Sequence, residues 1–180
     1  MIVRGARERL RHDRTAYDLV VLDAFGDNLV PVELVTREFF AVADSRLAPG
    51  GLLAVAFEAQ GWDDVLVRSL AATLRTRFAT VIALPTGEPP NTLGSVVLLA
   101  AHGPIDFTGD LPEPHDYLNA PLDHWTVVQM NHAWTSGFAP DPRGAVVLTD
   151  DRNPADLWGD RINQAARAEL HGFFGRGEGW

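Results

Sequence analysis

The sequence predicts an α/β protein, and three features of it do so. Short Leu- and Val-rich runs lack alternation, as strands buried on both faces do. Between them lie segments whose apolar residues recur every three or four positions, the helical period. Clusters of Pro, Gly, Asn and Asp mark the joints. In order these give strand, helix, strand, helix and a closing hairpin, an arrangement that belongs to an α/β sheet.

The first strand is Tyr17-Asp18-Leu19-Val20-Val21-Leu22-Asp23, an apolar run that ends in an acid. Pro31 can open the helix that follows, since its missing N–H is not needed there. Val32, Val35, Phe39 and Ala43 form its stripe, Phe40 and Leu47 widen it, and Pro49-Gly50-Gly51 is expected to end it. Residues 52–57 read as the next buried strand. A second helix, over about residues 62–78, carries Leu66, Leu70, Leu74 and Phe78 at i+4 spacing. Asp63 and Asp64 stand in its first turn and Arg75 and Arg77 in its last, as the helix dipole favours. Residues 80–84 and 95–101 read as two more strands, joined by Gly87-Glu88-Pro89-Pro90-Asn91.

After His102 the composition shifts towards Pro, Gly, Asp and His as far as Arg143, with a short helix expected near residues 125–133. A last strand is expected at 145–148, then a helix from Pro154 to about His171 with Asn153 as its N-cap. The tail from Gly175 is expected to be loose. The organisation is thus a core over 1–101 and a C-terminal extension, 102–180, packing on the same domain.

Composition narrows the functional classes. The 180 residues, 46% hydrophobic and 22% charged, suit one soluble domain. No apolar run approaches the roughly 18 residues of a membrane span, and the basic N-terminus has no signal-type apolar segment behind it. The absence of cysteine removes thiolate metal sites, disulfides and cysteine nucleophiles, which agrees with a cytoplasmic protein. A net charge of -9 argues against nucleic acid and would suit a cationic small molecule, although acidity for solubility alone explains it equally.

Ligands of open α/β sheets bind beyond the carboxyl ends of the strands. Asp23 stands at such an end, and Asp27 follows in the loop Ala24-Phe25-Gly26-Asp27-Asn28, so both are expected to face one crevice. An acid there can equally cap a turn or a helix, and on the pattern alone both readings stand. His115, Asp116, Asp123, His124 and His132 match no ligand spacing and read as solvated loop residues. Arg7, Arg9, Arg11 and Arg14 read as a solvated basic cluster. Asp150-Asp151-Arg152-Asn153-Pro154 is good turn-and-cap chemistry. The chain has no G-x-G-x-x-G, G-x-x-x-x-G-K-[ST] or G-x-S-x-G motif.

Residues 17–55 nevertheless resemble the polyamine aminopropyltransferases, particularly the bacterial spermidine synthase-like group. Asp23, Asp27 and Thr36-Arg37-Glu38-Phe39-Phe40 stand where that family has a strand-end Asp, a second Asp and a T-x-E-F-F-like helix. Leu148-Thr149-Asp150-Asp151-Arg152-Asn153-Pro154 resembles the family's late acidic turn. The likeness covers about 1–101 and 145–158, and nothing in 102–144.

The resemblance implies an incomplete Rossmann-like sheet of the S-adenosylmethionine-dependent methyltransferase type, with flanking helices. It implies aminopropyl transfer from decarboxylated S-adenosylmethionine, a co-substrate and not a resident cofactor, to an amine such as putrescine. An amine with a pKa near 10 is only about 0.1% neutral at pH 7, a handicap of roughly 4 kcal/mol. By resemblance Asp23 is the base that takes its proton, and Asp27, Asp150 and Asp151 hold the substrate. Ala6 and Ala24 lie against the co-substrate, and no metal is required. The sequence departs from the family at Gly5, where an adenine-contacting acid is usual, and at Ala56, where an amide side chain is. The glycine-rich turn after the family's first strand has no counterpart here. The strand ending at Asp23 is therefore expected to show an apolar edge, covered by self-association, by a partner chain or by a rearrangement of the chain. Other readings of the same sheet are a methyltransferase using intact S-adenosylmethionine, a non-catalytic binding module, and one half of a split enzyme inactive alone.

Overall fold

The computed structural model describes residues 5–23, 31–86, 90–106 and 122–174. Helix α1 (Ala6–His12) leads through a four-residue connection into β1 (Tyr17–Leu22). A single 3-10 turn (Val32–Leu34), α2 (Arg37–Asp44), β2 (Leu47–Gln60), α3 (Val65–Leu74), β3 (Thr80–Pro85) and β4 (Leu93–Ala101) follow, then α4 (His124–Thr135) and α5 (Ala155–Phe174). The four strands among the described residues lie in the order β1-β2-β4-β3, with β1 parallel to β2 and the other neighbours antiparallel. The predicted α/β class is the observed one.

The core lies on one face of this sheet. Leu53, Val55 and Phe57 of β2, Val96, Leu98 and Ala100 of β4, and Val81 and Ala83 of β3 share that face by register. Phe39, Phe40 and Ala43 of α2 and Leu66, Leu70 and Leu74 of α3 close over them, as the helical spacing predicts. Ile162 of α5 and Leu148 join the same cluster.

The opposite face overturns one expectation. A Leu- and Val-rich run predicts burial on both sides of β1, yet Leu19 is 53% and Val21 58% exposed. Only Leu22 is buried, with Val20 packed partly against the core. The reason is the face: Leu19 and Val21 pair with Leu52 and Ala54, on the side of the sheet away from the core that Leu53 and Val55 share with Val20 and Leu22. No described helix closes over them there. No rearrangement covers the edge among the described residues.

Three helix and strand limits also differ from the sequence reading. The helix begins at Arg37 and not at Pro31, because the Thr36 hydroxyl accepts the Phe39 amide at 3.1 Å and caps it. Pro49-Gly50-Gly51 lies inside β2 and does not end a helix, the chain having left α2 at Asp44. There the register with β1 shifts: Tyr17 faces Leu47, while Leu19 faces Leu52, so two steps on β1 match five on β2. Gly50 accommodates the bulge at φ +82°, and a Cβ on Gly51 would come within 2.9 Å of the Tyr17 carbonyl oxygen. α3 is shorter than its apolar spacing suggests, since the Asp64 side chain caps it by accepting the Leu66 amide at 2.7 Å.

Residues 145–148 form no strand, contrary to expectation. Their partners are side chains. The Val146 amide donates to Ser69 Oγ at 3.1 Å and the Leu148 amide to Thr73 Oγ1 at 2.9 Å, both hydroxyls being buried on α3. The Leu148 carbonyl accepts the Arg37 amide at 2.8 Å. Thr73→Val keeps the side-chain shape but strands the Leu148 N–H, so it should cost about 1–3 kcal/mol in urea unfolding. Thr73→Ser, which keeps the hydroxyl, should lose markedly less.

The entry to β1 is pinned by one carboxylate. Asp13 accepts the Tyr17 hydroxyl at 2.6 Å and the Thr15 amide at 2.8 Å. The Tyr17 bond first, and the Thr15 bonds after it, lower its pKa from 3.8 to about 2. A carboxylate depressed on folding stabilises above its unfolded value and loses that contribution as pH falls through the folded one. Between pH 5 and pH 2 the urea midpoint of Asp13→Asn is therefore expected to fall less than that of the parent chain. Equal falls would refute the assignment.

Candidate functional site

Asp23 is exposed and directly follows Leu22, the last residue of β1, at the carboxyl end of the strand. The parallel pairing of Leu22 with Val55 brings β2 alongside at that level. Asp27 and Ala24 lie outside the described residues, as do His115, Asp116 and the tail from Gly175. Ala6 is the exposed first residue of α1. It lines an apolar groove of about 290 Å³ that Leu10 and Asp13 share with Tyr17, Leu19 and Val20 of β1.

Asp150 is not a free carboxylate. Arg7 Nη1 donates to its Oδ1 at 2.8 Å and Nη2 to its Oδ2 at 2.6 Å, a two-point clamp between residues 143 positions apart. The hydrogen bond from Arg7 lowers the pKa of Asp150 against the opposing effect of burial. The same bond raises that of Arg7. The Asp150 amide donates to Glu38 Oε2 at 3.0 Å, and Asn153 Nδ2 donates to the Val32 carbonyl at 2.7 Å. The turn thereby ties the start of α2 to α1. Asp151 is exposed within it, where Thr149 and Arg152 pair as an isolated bridge.

Two residues of this cluster escape the sequence reading. Arg7 is only 17% exposed in its side chain and is no part of a solvated cluster, unlike the exposed Arg9, Arg11 and Arg14. Its one signal is its place three residues before Leu10, on the face of α1 that packs inward. Glu33 joins Arg7, Val32, Thr36, Asp150 and Asn153 around a cavity of about 220 Å³. Asn153 does cap α5 as expected, its Oδ1 accepting the Ala155 amide at 3.1 Å.

Asp123 caps α4, accepting the Thr126 amide at 3.0 Å, and this bond is among those that lower its pKa, after the one from the Thr126 hydroxyl. Among the described residues no three acids or histidines converge as a metal site would require. No helix among them is long and apolar enough to cross a membrane.

No family model matches the chain. Curated and solved proteins do. Polyamine aminopropyltransferase 2 of Pseudomonas aeruginosa is 37% identical over 84 residues, 45% of this chain and 24% of that protein. A probable polyamine aminopropyl transferase of Bifidobacterium longum is 24% identical over 162 residues, 82% of this chain and 35% of that protein. The resemblance to the polyamine aminopropyltransferases holds. A probable spermidine synthase from Corynebacterium glutamicum superimposes with a TM-score of 0.53 over 92% of this chain and 51% of its own, at 18% identity. At that identity the superposition establishes a shared Rossmann-like α/β fold, of the methyltransferase type. The aminopropyltransferase-like chain thus spans about a quarter to a third of the curated relatives' length and half of the solved one's.

Proposed function

We propose that this chain carries the amine-binding side of an aminopropyltransferase site, with decarboxylated S-adenosylmethionine as donor and a polyamine precursor such as putrescine as acceptor. The observation that carries the reading is an exposed carboxylate, Asp23, at the carboxyl end of a parallel strand in a chain similar to these enzymes. Asp23 accepts the ammonium proton as nitrogen attacks the carbon beside the sulfonium; the C–N bond forms, the C–S bond breaks, and the electron pair stays on sulfur. Asp27 and Asp151 hold the far end of the amine. Asp150, already neutralised by Arg7, shapes the turn on which Asp151 sits. Ala6 and Ala24 face the donor.

A second reading, amine binding without transfer, is favoured by Gly5, which brings no acid for the donor's adenine. Calorimetry separates the two. Aminopropyl transfer requires that both putrescine and decarboxylated S-adenosylmethionine release heat on binding, whereas a binding module responds to putrescine alone. A chain that takes up neither has no such function, and one that takes up S-adenosylmethionine in preference to its decarboxylated form is a methyltransferase relative.

Self-association through β1 belongs to the same proposal. Edge strands are commonly guarded by charge, lysine above all. The chain has no lysine, and Asp18 is the sole charged residue between Tyr17 and Leu22. Antiparallel pairing of β1 with its copy about a two-fold axis would satisfy both edges at once and would set no run of like charges side by side. Light scattering should give a mass that rises with concentration, and Val21→Lys should hold it at one chain. A monodisperse, cooperatively melting monomer at high concentration would rule the pairing out.

A further inference from the structure

We propose that the cavity beside Trp62 is a second binding site, for a small amine that also carries a hydroxyl or carbonyl oxygen. The cavity measures about 320 Å³ and is lined by Trp62, Asp63, Pro90, Phe138, Ala139 and Asp141. That is room for a ligand of a few heavy atoms, near the lower limit for small-molecule sites. It is distinct from the site at Asp23. Leu22 pairs with Val55, and β2 continues five residues further to Gln60 before Trp62, roughly 16 Å along the strand.

The oxygen is called for by unmet donors. Trp62 Nε1 and His132 Nε2 are both buried and make no hydrogen bond among the described residues. The indole N–H can only donate, so its natural partner is an acceptor. His132 does not line the cavity, but its ring meets that of Trp62 in a T at 5.9 Å, and with its proton on Nε2 it is a second unmet donor beside that wall. Buried donors without acceptors are uncommon, and each one asks for a ligand or an ordered water.

The amine is called for by the walls. Trp62 stacks on Phe138 with centroids 5.9 Å apart and planes 16° from parallel, giving an aromatic surface that favours a cation. Asp63 is 80% exposed in its side chain and only loosely paired, Arg68 Nε standing 3.6 Å away, so it is available to an ammonium group. Asp141 is committed to Arg143, whose side chain and amide both donate to it. The net charge of -9 raises the local concentration of cations generally.

The site is also rigid before anything binds. Gly61, at φ +102°, lies so close to the next turn that a Cβ would sit 2.6 Å from the Pro90 carbonyl oxygen. That same oxygen accepts the Trp62 amide at 2.9 Å. Phe138 exchanges two backbone hydrogen bonds with Ala83, at 2.8 and 3.0 Å. Binding then orders little that is not already ordered.

The test is the indole N–H resonance of Trp62, assigned by its loss in Trp62→Phe and read against those of the other four tryptophans. Titration with 4-amino-1-butanol should shift it saturably, with half-saturation at about 1 mM, which corresponds to roughly 4 kcal/mol of binding. Butylamine, which lacks the oxygen, and 1-butanol, which lacks the charge, should each need about tenfold more, one polar contact being worth about 1.4 kcal/mol. Asp63→Asn should weaken 4-amino-1-butanol to about the level of 1-butanol. An indole signal unmoved by 4-amino-1-butanol, or moved alike by all three probes, overturns the proposal. Undiminished binding in Asp63→Asn overturns the ammonium assignment.

Discussion

Asp23→Asn is expected to lower aminopropyl transfer to putrescine by about 10²–10⁴-fold, the range that general-base catalysis supplies. The amide keeps the size of the side chain but cannot take a proton from the attacking nitrogen. Because the residue is exposed beyond the end of β1, its replacement should leave the free energy of unfolding within about 0.5 kcal/mol. The deficit should also shrink as pH rises, since the neutral fraction of an amine with a pKa near 10 grows about tenfold per pH unit below that value. Spermidine formation followed from pH 7 to pH 9 tests both points. Full activity in the variant would remove Asp23 from the role of base.

Phe40→Ala is expected to lower the free energy of unfolding by about 3–5 kcal/mol, as truncation of a buried aromatic ring does. Phe40 has no exposed surface and sits on α2 with Phe39 tilted against it at 6.0 Å. α2 carries the capping Thr36 and, through Glu38, the turn at Asp150. A cavity at Phe40 would therefore be felt on both sides of the helix. Urea denaturation measures it, and a loss below about 1 kcal/mol would mean that the site collapses around the smaller residue.

What could be read from the sequence is local. Leu66, Leu70 and Leu74 declare the buried side of α3 by their spacing, Phe78 continues it past the helix end, and all four are buried. Asn153 before Pro154 announces a helix start, and the turn-rich stretch after Pro85 announces the β3–β4 hairpin. The position of Asp23 was equally legible, because an apolar run that closes on an acid marks a strand end. The features that escaped depend on distant partners. Nothing near Val146 or Leu148 reveals that Ser69 and Thr73, more than seventy positions earlier, will take their amides. Nothing near Arg7 points to Asp150. The apolar composition of β1 is also silent on which neighbours it will have, and so Leu19 and Val21 read as interior residues.

The bulge in β2 has a consequence for how the chain tolerates changes in length. A strand that gains or loses one residue normally turns every following side chain over, exchanging interior for solvent. Here the surplus of β2 over β1 is stored between Leu47 and Leu52, upstream of the pairs from Leu53 to Gln60 that fill the core. An insertion at Pro49 would lengthen the bulge and leave Leu53, Val55 and Phe57 facing inward. The same insertion at Ala54 has no such buffer, and would turn Phe57 out of the core.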